Sequence, residues 1–101
     1  MIRLARPCLV ALSLCATPLA AQETHEVRIT GAGYAPATTR AASGDTVVFF
    51  NDHDRPHTAT ADDASFDTGR IRPGESASVT VGGAVGFTDR FNPRLRGAIA
   101  Q

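Results

Sequence analysis

The sequence predicts an all-β sandwich or barrel, on three observations. From residue 22 onward, short stretches alternate apolar and polar side chains at the two-residue period of a strand. Clusters of Gly, Pro, Asn and Asp punctuate them at close spacing, the pattern of small β-sandwiches and barrels. No part of this region sustains a helical period, and there is no internal repeat.

The elements follow in order. His25 to Thr30 alternates, with Val27 and Ile29 on one face. Gly31-Ala32-Gly33 and Pro36 break that strand. Ser43-Gly44-Asp45 turns the chain into Thr46-Val47-Val48-Phe49-Phe50, the most strand-like run present. Asp62 to Ser65 is a polar loop, and Arg72-Pro73-Gly74-Glu75 is a turn. Ser76 to Val81 alternates again, Gly82-Gly83 turns, and Ala84 to Thr88 forms a short strand. Gly97 to Ala100 is the expected closing strand, short and weakly paired.

Residues 1–21 read as a secretory signal peptide. Arg3 and Arg6 precede an apolar run from Leu9 to Ala16, and Leu19-Ala20-Ala21 offers small residues for cleavage before Gln22. The run is about ten residues, too short for a membrane span. A lipid anchor at Cys15 fits poorly, because Leu14 stands where a small residue is needed. The expected mature domain is therefore residues 22–101, periplasmic or secreted, with no membrane span.

Both cysteines, Cys8 and Cys15, fall in the leader. The mature domain has no disulfide and no thiolate for metal binding or catalysis. Its eight arginines and ten carboxylates, with no lysine, leave a formal charge of −2, which does not favour nucleic acid. No nucleophile elbow and no glycine-rich phosphate loop is present, so the expectation is a non-enzyme.

A series of small motifs carries a resemblance to a known family. These are Tyr34-x-Pro36, Gly44-Asp45-Thr46-Val47-x-Phe49-x-Asn51, Pro56-His57, Phe66-Asp67-Thr68-Gly69 and Pro73-Gly74-Glu75-Ser76, followed by Asp89-x-x-Asn92-x-x-Leu95. In this order they resemble the cupredoxins, the blue-copper proteins of the plastocyanin, pseudoazurin and amicyanin type. The resemblance implies a Greek-key β-sandwich, copper binding and one-electron transfer. It also implies that Pro56-His57 supplies the first copper ligand, and that a Cys-x-x-His-x-x-Met run supplies the other three. Here Asp89, Asn92 and Leu95 stand at those three positions with the spacing kept.

A type 1 site needs two imidazoles and a thiolate in a plane, with a weak axial thioether. Asp89 is a hard ligand without a sulfur charge-transfer band, Asn92 is a weak neutral donor, and Leu95 can only pack. These substitutions exclude a blue centre. Two readings of His57 stay open: a leftover histidine, or a partner of Asp89 in a weak, non-blue site for Cu(II) or another divalent ion, with Asn92 adding an oxygen. No cofactor is certain, and copper is the candidate.

Other residues bear on the site. His53 lies four residues before His57, but Pro56 argues against a helix, so their rings are not expected to converge. Asn51 resembles the family's asparagine that ties the two ligand loops together, and with Pro56 it forms the scaffold. Phe91 is expected to cover the emptied site. Arg90, Arg94 and Arg96 form a candidate docking patch for a periplasmic protein partner. His25 is a stray that would bind Cu(II) only weakly with a free amine at Gln22. The expected protein is a monomeric, redox-inactive binding module.

Overall fold

The computed structural model describes residues 22–101; the leader expected over residues 1–21 lies outside the described residues. The described chain forms eight strands: β1 Thr24–Thr30, β2 Gly33–Ala35, β3 Thr38–Arg40, β4 Thr46–Asn51, β5 Thr60–Ala61, β6 Ser76–Thr80, β7 Val85–Asp89 and β8 Asn92–Ala100. They make two four-stranded sheets, ordered β2-β1-β4-β6 and β3-β8-β7-β5. This is the all-β sandwich that the alternating pattern predicts. Among the described residues no helix is long and apolar enough to cross a membrane.

Alternation explains which face of each strand is buried. Val27 and Ile29 on β1, and Val47 and Phe49 on β4, are fully buried, and their neighbours in sequence point outward. β1 and β4 run parallel, from Thr24 opposite Thr46 to Ile29 opposite Asn51. That register puts the starts of both strands at one end of the sandwich and Asn51 at the other. The two sheets meet through aromatic rings: Tyr34 and Phe49 each contact Phe87 edge-on, at centroid distances of 4.7 and 5.2 Å.

Two glycines are required by geometry. Gly74 (φ +81°) follows Pro73 in a turn closed by the Glu75 N–H on the Arg72 carbonyl, a conformation that favours glycine at that position. Gly97 faces Phe87 across the β7–β8 ladder, and a Cβ there would overlap the Phe87 ring.

The strand pattern differs from the sequence expectation at two places. β8 is not a short closing strand over Gly97–Ala100. It begins at Asn92, is the longest strand, and pairs with both β3 and β7. Its first half is polar and contains Pro93, but β3 pairs only with residues 98–100, so that half has one partner and tolerates proline. The segment read only as a break after Thr30 contains β2 and β3, each three residues long, too short for periodicity to reveal.

Gly97→Ala is expected to destabilise the domain by about 1–3 kcal/mol through overpacking against Phe87. Urea unfolding of the two proteins measures this. An unchanged midpoint would show that the ring has free room.

Candidate functional site

Three segments converge at the Asn51 end: the loop 51–57 after β4, the segment 67–75, and the β7–β8 turn. Asn51 binds the first two together. It is fully buried, and its side-chain amide donates to the carbonyls of Arg55 (2.7 Å) and Ile71 (2.8 Å). Its side-chain oxygen accepts the His53 N–H at 3.0 Å. Asn51 thus ties the 51–57 loop to the Ile71 segment, and none of these three hydrogen bonds reaches the 89–95 run it was expected to join. A bridge between His57 and Ile71 continues the tie.

Asp89 ends β7, where its side chain turns inward and is fully buried. A buried carboxylate is tolerated only when its oxygens are well partnered. One oxygen accepts the backbone N–H groups of Thr58 (3.0 Å) and Phe91 (2.9 Å). The other meets His57 Nδ1 at 2.5 Å, and His57 is only 5% exposed. An ionised carboxylate can only accept, so in that state His57 carries its proton on Nδ1. The bond to Phe91 closes the Arg90–Phe91 turn, and the Arg90 N–H is held by Thr58 Oγ1 at 2.9 Å.

The network runs outward from His57. Its Nε2 lies 2.9 Å from His53 Nδ1, and the two rings stack at 5.1 Å. His53 Nε2 lies 3.3 Å from Asp54. A line of polar groups, Asp89–His57–His53–Asp54, therefore leads from the interior to the surface, where His53 borders a recess of about 520 Å³. The expectation that the two rings stay apart is corrected. No helix is needed, because Asn51 folds the loop back on itself. The space is also kept open by Gly31, where a Cβ would come within 3.1 Å of His53 Nε2.

Other sequence-selected residues fall in different places. Asn92 is exposed at the start of β8, and among the described residues it makes no side-chain hydrogen bond to His57 or Asp89. Leu95 is half-buried against the core, beside Gly33. Phe91 does not cover the site: it is 52% exposed and lies under the Arg70 guanidinium, 5.6 Å from it. His53 is the actual cover. Of the arginine patch, Arg90 pairs with Asp67 at 3.3 Å and Arg96 with Asp62 at 2.7 Å. Arg94 is exposed and has no ion pair among the described residues.

Sequence reasoning did not select Thr58, whose N–H, hydroxyl and carbonyl all serve the site. Its carbonyl accepts the Tyr34 hydroxyl at 2.5 Å. Burial first, and then the negative charge of Asp89, push the Tyr34 phenol far above the usual tyrosine range, so it stays a neutral donor. The only signal for Thr58 was its place next to His57.

The donor set does not fit a type 1 copper. Two ligand atoms sharing a tetrahedral ion with bonds of about 2.0–2.1 Å lie roughly 3.3 Å apart. His57 Nδ1 and Asp89 are at 2.5 Å, a hydrogen-bonded contact with no space for an ion between them. The remaining Asp89 oxygen is filled by two backbone donors.

The two sheets, with a Pro-His loop set against the β7–β8 turn, make a cupredoxin-like fold. Solved structures agree. The chain is similar to a purple cupredoxin from Nitrosopumilus maritimus, at 18% identity and TM-score 0.69, covering 75% of this chain and 97% of that one. It is also similar to an amicyanin mutant in its Cu(I) form, at 20% identity and TM-score 0.68, covering 76% and 80%. An oxidised amicyanin mutant matches at 20% identity and TM-score 0.69, with the same coverage. At these identities the likeness is one of fold. No family model and no curated protein matches the chain.

Replacing Asp89 by Ala leaves His57 and two backbone N–H groups without their acceptor. Asp89→Ala is expected to cost about 3–5 kcal/mol, and His53→Ala only about 1 kcal/mol for one partly exposed hydrogen bond. Denaturant unfolding at neutral pH ranks them, and the reverse order would remove Asp89 from the centre of the network.

Proposed function

We propose that this chain is an exported cupredoxin-like protein that carries no blue copper, transfers no electrons through such a centre, and acts as a binding module in the periplasm. The carrying observation is Asp89: at the position of the family's thiolate stands a fully buried carboxylate with both oxygens engaged by protein donors. The family's copper chemistry needs that position free for the metal.

The loop end is the proposed binding face. Phe91 is the single large apolar side chain exposed among the described residues. Arg70 stacks on it, and Arg90 and Arg94 flank it in sequence. An exposed ring rimmed by arginines suits an acidic protein surface carrying an apolar contact. Arg96, held by Asp62 and Thr88, is not counted as part of this face.

Titration of the exported, untagged protein with Cu(II), followed by electron paramagnetic resonance and absorption, tests the first half. No intense thiolate-type band is expected, and any copper bound should be unchanged by His57→Ala. The combined variant Asp89→Cys, Asn92→His should gain such a band, because the scaffold around residue 89 is kept. A stoichiometric tetragonal signal lost in His57→Ala would instead favour the alternative, a hard-ligand metal site at His57 and Asp89.

The second half predicts that Phe91→Ser with Arg94→Glu keeps the unfolding midpoint within experimental scatter and abolishes cross-linking to the periplasmic partner. Cross-linking unaltered by both changes would move the binding face elsewhere.

A further inference from the structure

The parallel register of β1 and β4 gathers a second set of titratable side chains at the far end of the sandwich, separated from the Asn51 end by the six residues of β4, about 20 Å. Glu23 lies immediately before β1 and His25 is two residues on, within it. Asp45 stands immediately before β4, and Thr24 opposite Thr46 brings it beside them. One nitrogen or oxygen from each of the three side chains lies within 4.8 Å of the others.

From this cluster we infer that Glu23, His25 and Asp45 form a site for a divalent transition-metal ion, Zn(II) by its donor set. One imidazole and two carboxylates are three protein ligands of the types that Zn(II) accepts, with a fourth position left for water. The set differs from a surface acidic cluster in two ways: it contains an imidazole, and its inner members are fixed. Asp45 is 6% exposed. One of its oxygens accepts the Glu23 N–H at 3.1 Å, and the other accepts the Ala42 N–H at 3.0 Å and meets His25 Nε2 at 2.9 Å. The His25 side chain is 20% exposed.

Space and access also fit. The cluster lines a recess of about 390 Å³ with Arg40, Ala41, Ala42 and Gln101. Arg40 is the opposing charge there, but its guanidinium is engaged by the Gln101 carbonyl at 2.6 Å. Binding replaces the hydrogen bond between His25 and Asp45 by two metal bonds. His25 Nε2 and the Asp45 oxygen need to separate by only a few tenths of an ångström from 2.9 Å to reach the spacing of two ligands on one ion. Glu23, exposed, closes the third side.

The contrast with His57 and Asp89 is physical. That pair is closer, at 2.5 Å against 2.9 Å, and both of its members are buried. In the second set Asp45 is buried and, like Asp89, accepts three hydrogen bonds, but His25 is partly exposed and the Glu23 carboxylate is exposed at the recess.

Calorimetric titration of the chelator-treated, exported protein with Zn(II) tests this. Zn(II) is preferred to Cu(II) because a free terminal amine near His25 captures Cu(II) without Asp45. The expected result is one Zn(II) per chain, with the affinity falling at least tenfold in both His25→Ala and Glu23→Gln and unchanged in His57→Ala. Glu23→Gln guards against misfolding, because Glu23 meets Asp45 through its backbone N–H, which the substitution keeps. Saturating Zn(II) should also raise the unfolding midpoint of the wild type but not of His25→Ala. Absence of one-to-one binding, or equal affinity in Glu23→Gln and wild type, overturns the site.

Discussion

The loop end of this protein depends on a single buried negative charge. Asp89 has no contact with water, so its carboxylate is tolerable only because fixed donors surround it. Those donors come from three places: the Thr58 backbone, the Phe91 backbone within the β7–β8 turn, and the His57 ring. Each bond therefore constrains a different segment. The turn between β7 and β8 is closed by it, the ring of His57 is oriented by it, and Thr58 is drawn close enough to hold both Arg90 and Tyr34. The packing of Tyr34 on Phe87 then carries that constraint from the loops into the core between the sheets.

On the proposed reading, in which residue 89 takes the family's thiolate position, the electrostatics are preserved more than the chemistry. A copper-bound thiolate is an anion beside a cation, with an imidazole nitrogen directed at the metal. On that reading an ionised Asp89 is an anion in that place, and His57 directs Nδ1 toward it with a proton between them. The scaffold formed by Asn51 needs only that the 51–57 loop and the segment around Ile71 stay together, and its hydrogen bonds go to backbone carbonyls. The loop architecture is thus held by protein groups, an internal tie that a small hydrophobic residue at position 89 would not supply.

The parts of the structure that could be read from the sequence are those that repeat a pattern. β1, β4, β6 and β7 span five residues or more, so each was legible as a strand, β1 with its buried face, as were the turns at Gly44 and Gly74. β2, β3 and β5 have two or three residues each and no usable period. β8 was read short because its first half is polar and holds Pro93, features set by its having one neighbour there rather than two. At the site, the pairing of His57 with Asp89 followed from family spacing. The stacking of His53 did not, because it depends on Asn51 folding the loop and on the missing side chain of Gly31. The outward turn of Phe91 was equally hidden: Arg70, twenty-one residues away in sequence, supplies the face against which it lies.

The same topology explains why one small domain can hold two chemically different clusters. Parallel pairing of β1 with β4 aligns the strand starts as strictly as the strand ends. At the ends, long loops fold over the polar groups and shut solvent out from Asp89 and His57. At the starts, only a short turn over residues 42–45 is available, and it fixes Asp45 from beneath while leaving Glu23 and His25 facing the recess. Whether a histidine–carboxylate pair becomes an internal tie or a ligand set is therefore decided by loop length. Where the chain covers the pair on every side, no further ligand can reach it; where it leaves a recess, an exposed carboxylate such as Glu23 can join the pair around an ion from solution.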